Sequence, residues 1–126
     1  MVGRLVIGEK TVCRFDRPLR ALVAAPDGRV LVGDAHGQVH RVELTHGRST
    51  ALNAHDAAVT SLAVHHDLWA SASEDGKARL WRGTRLLREW RSSDFLTSVA
   101  FTARGELIWA GYDGLVRSAR TLSIAA

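Results

Sequence analysis

The segment Val59-Thr-Ser-Leu-Ala-Val-His-His-Asp-Leu-Trp-Ala-Ser-Ala-Ser-Glu-Asp-Gly-Lys-Ala-Arg-Leu-Trp81 has two further versions of itself in the same chain. Leu19-Arg-Ala-Leu22 and Leu96-Thr-Ser-Val99 superpose on Val59-Thr-Ser-Leu62, and each copy then reaches a tight turn: His36-Gly37, Asp75-Gly76 or Asp113-Gly114. The turn glycines lie 39 and 38 residues apart. A period of about 40 residues, built from short apolar runs and Gly turns, is one supersecondary unit repeated, and such a unit buries its faces only against neighbours.

Each copy reads as three or four short strands. The first is apolar: 19–24, 59–64 or 96–101. A turn follows at Pro26-Asp27-Gly28, His66-Asp67 or Arg104-Gly105; Asp-Gly between apolar runs signals a hairpin, because Gly takes positive φ without steric cost. The second strand covers 30–33, 68–73 or 107–111, the third 38–42, 77–81 or 115–119, and a more polar fourth appears at 49–52 and 86–90. No stretch keeps apolar residues at helical spacing behind a plausible cap, so the chain is expected to be all-β. Gly8 to Phe15 matches Gly83 to Trp90, with an aromatic seven residues after the Gly in both, so residues 4–15 read as the last two strands of a further unit. At the other end, Thr121 to Ala126 is short for a fourth strand.

The middle copy carries Ala54-His55-Asp56, then Ser71-Ala72-Ser73-Glu74-Asp75-Gly76, then Arg79-Leu80-Trp81. In this order and spacing it resembles a WD40 repeat, with Ala54-His55 in place of the family's opening Gly-His and Trp81-Arg82 in place of the closing Trp-Asp. The resemblance is specific over 54–90 and weaker, in the same register, over 19–52 and 94–124. It implies a WD40-like β-propeller segment of about three four-stranded antiparallel blades (19–52, 58–90, 95–124) plus an N-terminal partial blade (4–15), all one domain over 1–126. It also implies a buried polar network of His55, Ser71 or Ser73, Asp75 and Trp81. The outer copies depart from the pattern: Phe15 and Ser92 stand at the His position, His36 and Asp113 at the Asp position, Val42 and Ala119 at the Trp position. Those blades are expected to rest on apolar packing alone.

At 126 residues the chain is long enough for a modest core. It is too short to close a ring alone, since a closed propeller takes roughly four to eight four-stranded blades. Sheet faces and edges left open drive association. The net charge is +4, and only Lys10 and Lys77 among the 17 basic residues are not arginine. Arginine favours bidentate contact with carboxylate and phosphate. Arg79, Arg82, Arg85, Arg88 and Arg91 mimic a basic helical stripe, but the Gly83-Thr84 break argues for a hairpin that scatters them. The single cysteine, Cys13, excludes an intrachain disulfide. Neither a secretory leader nor a long apolar run is legible, so a cytoplasmic protein with no membrane segment is expected.

Three chemistries are set aside on spacing. His36 and His40 would sit about 13 Å apart on a strand at ~3.3 Å per residue, and no Cys or carboxylate cluster at ligand spacing supports a metal. Ser71 or Ser73 with His55 and Asp75 has the residue types of a catalytic triad, but the repeat buries all of them and leaves no exposed nucleophile or oxyanion hole. The glycines do not open a phosphate-binding strand–helix unit. No cofactor and no catalysis are expected. Trp109 stands at the Ser71 position of the last copy and reads as core or as a filler between blades.

The loop Arg91-Ser-Ser-Asp-Phe95 is two residues longer than its counterpart after Phe15, and the resemblance sets it beside Glu74-Asp75 on the face that family members use for binding. Partner-binding candidates there are Asp56, Glu74 and Lys77 on the middle copy, Trp90, Arg91, Asp94 and Phe95 along the loop, and Tyr112. The function expected is a protein–protein interaction scaffold that completes a propeller by self-association, a dimer being favoured, or with another propeller-containing chain. The alternative is a nucleic-acid or anionic-partner module using the arginines.

Overall fold

The computed structural model describes residues 3–7 and 10–121. Thirteen strands form four antiparallel sheets, and the described residues contain no helix. An N-terminal hairpin pairs β1 (Gly3–Ile7) with β2 (Lys10–Phe15). The first blade runs β3 (Leu19–Ala24), β4 (Arg29–Asp34), β5 (Gln38–Glu43) and β6 (Ser49–Asn53) in spatial order. The middle blade does the same with β7 (Val59–His65), β8 (Leu68–Ser73), β9 (Lys77–Arg82) and β10 (Arg85–Arg91). The last blade has β11 (Leu96–Phe101), β12 (Leu107–Gly111) and β13 (Val116–Ala119). Of the segment Thr121 to Ala126, read above as short for a fourth strand, only Thr121 lies within the described residues.

The chain is an all-β array of stacked sheets, and burial shows why the sheets need one another. An antiparallel strand with one wet face alternates between buried and exposed residues, while one covered on both faces does not. Every residue of β8 is buried; β11 and β13 are buried on one face at most. Ala63, Ala70, Ala72, Ala78 and Leu80 of the middle blade pack against Leu96, Val99, Leu107 and Trp109 of the last. On its other face Val59, Leu62, Trp69 and Trp81 meet Leu31 and Val39 of the first. Small residues opposite large ones let the sheets close up: a Cβ on Gly33 would fall 2.6 Å from Val59 Cγ1.

The repeat extends to irregularities. Each inner strand breaks register at the same place, Leu19/Ala21, Val59/Ser61 and Leu96/Ser98. Such bulges re-aim side chains. The N-terminal hairpin skips Val12 as the middle blade's outer pair skips Leu87, so β1–β2 is built like a third and fourth strand. It covers the outer part of the first blade, where Val30, Val32 and Val42 are buried beneath Leu5, Val12, Cys13 and Phe15. Among the described residues no helix is long and apolar enough to cross a membrane.

Candidate functional site

His55 enters the middle blade just before β7, and the strand pairing carries Ser71 on β8, Trp81 on β9 and Asp75 in the intervening turn to the same place. Trp81 Nε1 donates to Ser71 Oγ (3.0 Å), which lies 2.6 Å from His55 Nε2; His55 Nδ1 is 3.0 Å from Asp75 Oδ2. The Asp75 carboxylate can only accept, so His55 Nδ1–H donates to it; with the ring neutral, Nε2 then accepts the Ser71 proton, and with the ring charged Nε2–H donates to Ser71 Oγ. Asp75 also accepts the backbone amides of Lys77 (2.9 Å) and Asp56 (3.2 Å). Burial pushes its pKa up, but the His55 hydrogen bond and charge and these amides outweigh that and bring it from 3.8 to about 2. Ser73 stands beside the chain of bonds, not in it: its hydroxyl donates to Ala57 O (3.1 Å) and accepts Asp75 N–H (3.0 Å), bracing the turn. Ser71 and Ser73 are fully buried, so neither hydroxyl is presented to a substrate.

The first blade does not rest on apolar packing alone, which corrects the expectation drawn from its missing His and Trp. Asp34 is fully buried, at the position of Ser73, and its carboxylate lies 2.8 Å from His40 Nε2. It accepts the amides of His36 (2.8 Å) and Gln38 (3.0 Å), so one side chain does the work that Ser73 and Asp75 share in the middle blade. Burial raises its pKa, but the hydrogen bonds from His40, Gln38 and His36 overcome this and lower it. His40 comes from the third strand, packed against Phe15, where the sequence pattern offers no His to look for; His36 lies in the turn, not on a strand. The signal available was an Asp two residues ahead of the usual one, next to a turn needing acceptors. We expect Asp34→Ala to lower stability by about 2–3 kcal/mol in denaturant melts, through stranded buried donors. His36→Ala, at an exposed position, should cost under about 0.5 kcal/mol.

The last blade keeps a remnant. Ser92, in the His position, donates to Asp113 Oδ2 (3.2 Å), which Arg117 also reaches at 2.9 Å. The Leu115 amide, then Arg117, hold the Asp113 carboxyl below its ordinary range. Trp109 is buried, with Trp90 packed on it at 5.0 Å, and its Nε1 has no hydrogen-bond partner among the described residues.

The partner-binding candidates divide. Glu74, Phe95 and Tyr112 line one groove together with Arg20 and Thr60. The Phe95 and Tyr112 rings lie 5.7 Å apart, 45% and 68% exposed, beside the Arg20–Glu74 ion pair (3.8 Å). Asp56 faces Lys77, at the start of β9, at 3.8 Å. The 92–95 loop seats on Gly76, whose carbonyl accepts Ser92 N–H at 2.7 Å. Asp94 caps the Phe95 amide, and Arg91 is tied to Glu89 (2.8 Å). Trp90 lies apart from the groove, half-buried against Trp109 with the Arg88 guanidinium over its ring. Arg20 and Thr60 are groove residues that sequence reasoning passed over; nothing in their own copies marks them.

Residues 47–82 match the family model "WD domain, G-beta repeat". No curated protein matches the sequence. Among solved structures, the chain resembles the computationally designed Ika4 protein at TM-score 0.76 and 23% identity, over 89% of this chain and 73% of that one. It resembles the computationally designed Ika8 protein equally well, spanning 37% of that chain. A chain of the Mitotic Checkpoint Complex superposes at TM-score 0.82 with 17% identity, over 88% of this chain and 37% of the other. At these identities the likeness speaks to the fold. The chain thus carries a WD40 repeat at residues 47–82, set within a propeller-like array of blades.

Proposed function

We propose that the chain is a non-catalytic, cytoplasmic scaffold that completes a β-propeller by self-association or with another propeller-bearing chain, and binds protein partners on the rim around Phe95 and Tyr112. The observation that carries this reading is the contrast between equivalent positions. Leu22 is 57% exposed where Leu62 and Val99 are 8% and 6%, and Val116 is 76% exposed where Ala78 is fully buried. An apolar position that is core in one blade and wet in its equivalent has lost a neighbour that the fold supplies elsewhere. The buried Ser–His–Asp set argues against hydrolysis, and Cys13, free and half-buried, fits a reducing compartment. Many of the arginines are engaged: Arg17, Arg20, Arg29, Arg79, Arg82, Arg91 and Arg117 each lie within 4.0 Å of a carboxylate, which weakens the nucleic-acid alternative.

Light scattering on the purified chain tests the reading. A mass above 13.8 kDa at micromolar concentration is expected, and it should persist in salt. A monomer that also fails to join another propeller chain overturns the reading. Nanomolar duplex DNA binding that collapses with added salt would favour the phosphate-binding alternative, since non-specific binding is otherwise about 10⁻⁴ to 10⁻⁶ M.

A further inference from the structure

The middle blade grips the last one by two hydroxyls as well as by packing. Thr60 Oγ1 donates across the blade boundary to Leu96 O (2.7 Å), and Ser61 Oγ accepts the Val99 amide (3.1 Å). Both residues follow from the bulge at Val59/Ser61, which turns consecutive side chains toward the free backbone edge of the next inner strand. The last blade repeats the device: Thr97 and Ser98 follow the same bulge at Leu96/Ser98. Among the described residues Thr97 Oγ1 makes only the contact inside its own blade, to Ala110 O at 3.3 Å, the counterpart of Thr60's second contact to Ala72 O at 3.2 Å. Both Thr97 and Ser98 are exposed, and Ser98 Oγ meets no partner among the described residues. Behind them the open face carries Ala100, Ile108, Ala110 and Val116, at the positions of Ala63, Ala70, Ala72 and Ala78 that the middle blade buries.

The first blade offers the surface these hooks fit. On its inner strand, Leu22 occupies the Val99 position, and Leu19 the Leu96 position. The N-terminal hairpin covers the outer part of that face and leaves Leu22 wet, because a third and a fourth strand reach only that far. What is missing over Leu22 is a first and second strand with small residues and a Thr-Ser pair, and β11–β12 is such a pair.

We propose that Thr97, Ser98 and Ala100 of one copy dock on β3 of a second copy, with Leu22 seated against Ala100 and Ala110 and the two hydroxyls on the backbone of Leu19 and Leu22. β11–β12 of one chain and β1–β2 of the other then share one blade. β1 and β13 compete for its third-strand position, and β13, with Val116, Arg117 and Ser118 exposed, is the strand that yields. The contact runs head to tail and closes with two copies about a two-fold axis. This rests on the self-association arm of the proposed function.

The test uses the full chain in a Cys13→Ser background. Chains carrying Leu22→Cys are mixed with differently tagged chains carrying Ala100→Cys under mild oxidation. A mixed disulfide dimer is expected, with little from either variant alone. Ala100→Arg, at a position exposed in the single chain, should weaken association at least tenfold and leave the melting midpoint nearly unchanged; Ser98→Ala should weaken it less. An oligomer that forms no mixed disulfide and survives Ala100→Arg overturns this surface while leaving self-association standing. A monomer throughout overturns the second copy as occupant, and recruitment to another propeller chain would then still support the scaffold reading.

Discussion

Trp81→Ala should be the most damaging single substitution, at about 3–5 kcal/mol, the range for truncating a buried Trp. The side chain is 4% exposed and stacks on Trp69 with ring centroids 5.1 Å apart and planes 9° from parallel. Its removal opens a void between the first two blades and also strips Ser71 of its donor. Trp81→Phe separates the two effects: most of the packing stays while the indole hydrogen bond goes, so a loss of about 1–2 kcal/mol is expected. Trp109→Phe is the control. Its indole N–H has no partner among the described residues, so the exchange forfeits no hydrogen bond and should cost less than Trp81→Phe in the same melts. Equal costs for the two would mean that the Trp81–Ser71 bond contributes nothing.

Asp75→Ala should cost about 2–3 kcal/mol, because it strands His55 Nδ1–H and the amides of Lys77 and Asp56. The charge itself is tested by pH. The folded carboxyl titrates at about 2 and the unfolded one at 3.8. A depressed folded pKa stabilises the native state above the unfolded value, so the contribution is complete above pH 3.8 and lost as pH falls toward 2. At 1.36 kcal/mol per unit it amounts to about 2 kcal/mol. Asp34 adds a loss in the same direction. The Asp75→Asn chain should therefore lose less stability between pH 5 and pH 2 than the parent, read as the shift in denaturation midpoint. Parallel pH profiles for the two chains would show that Asp75 is not linked to folding.

Strand positions were legible because they depend on local chemistry. Turn glycines with φ of 92° at Gly37 and 82° at Gly76 had to be glycines at those points, and alternating apolar residues had to be strands. The His55–Asp75 pair was legible through the resemblance to a WD40 repeat, which implies a buried bond between these two positions. The Asp34–His40 pair was not, because one acceptor took over two jobs and its partner arrived from a different strand. A buried polar group demands a partner without specifying which residue supplies it. The groove at Phe95 and Tyr112 was half legible. Its loop announced itself by length, but Arg20 joins it only because the inner strands of adjacent blades lie side by side.

What the sequence alone determined is the repeating unit, its period and its strand order, since these are set by residues close together in the chain; the polar network of the middle copy came through the resemblance to a WD40 repeat, which left Ser71 and Ser73 both open. Only the tertiary structure decided which faces are wet. Leu22, Leu62 and Val99 are equivalent in sequence pattern and differ in exposure from 57% to 6%. That difference is set by the blade stacked on each, and burial belongs to the neighbour as much as to the residue. The same holds for Thr60 and Thr97: one pattern, one bulge, and a bond to the next blade only where a next blade is present.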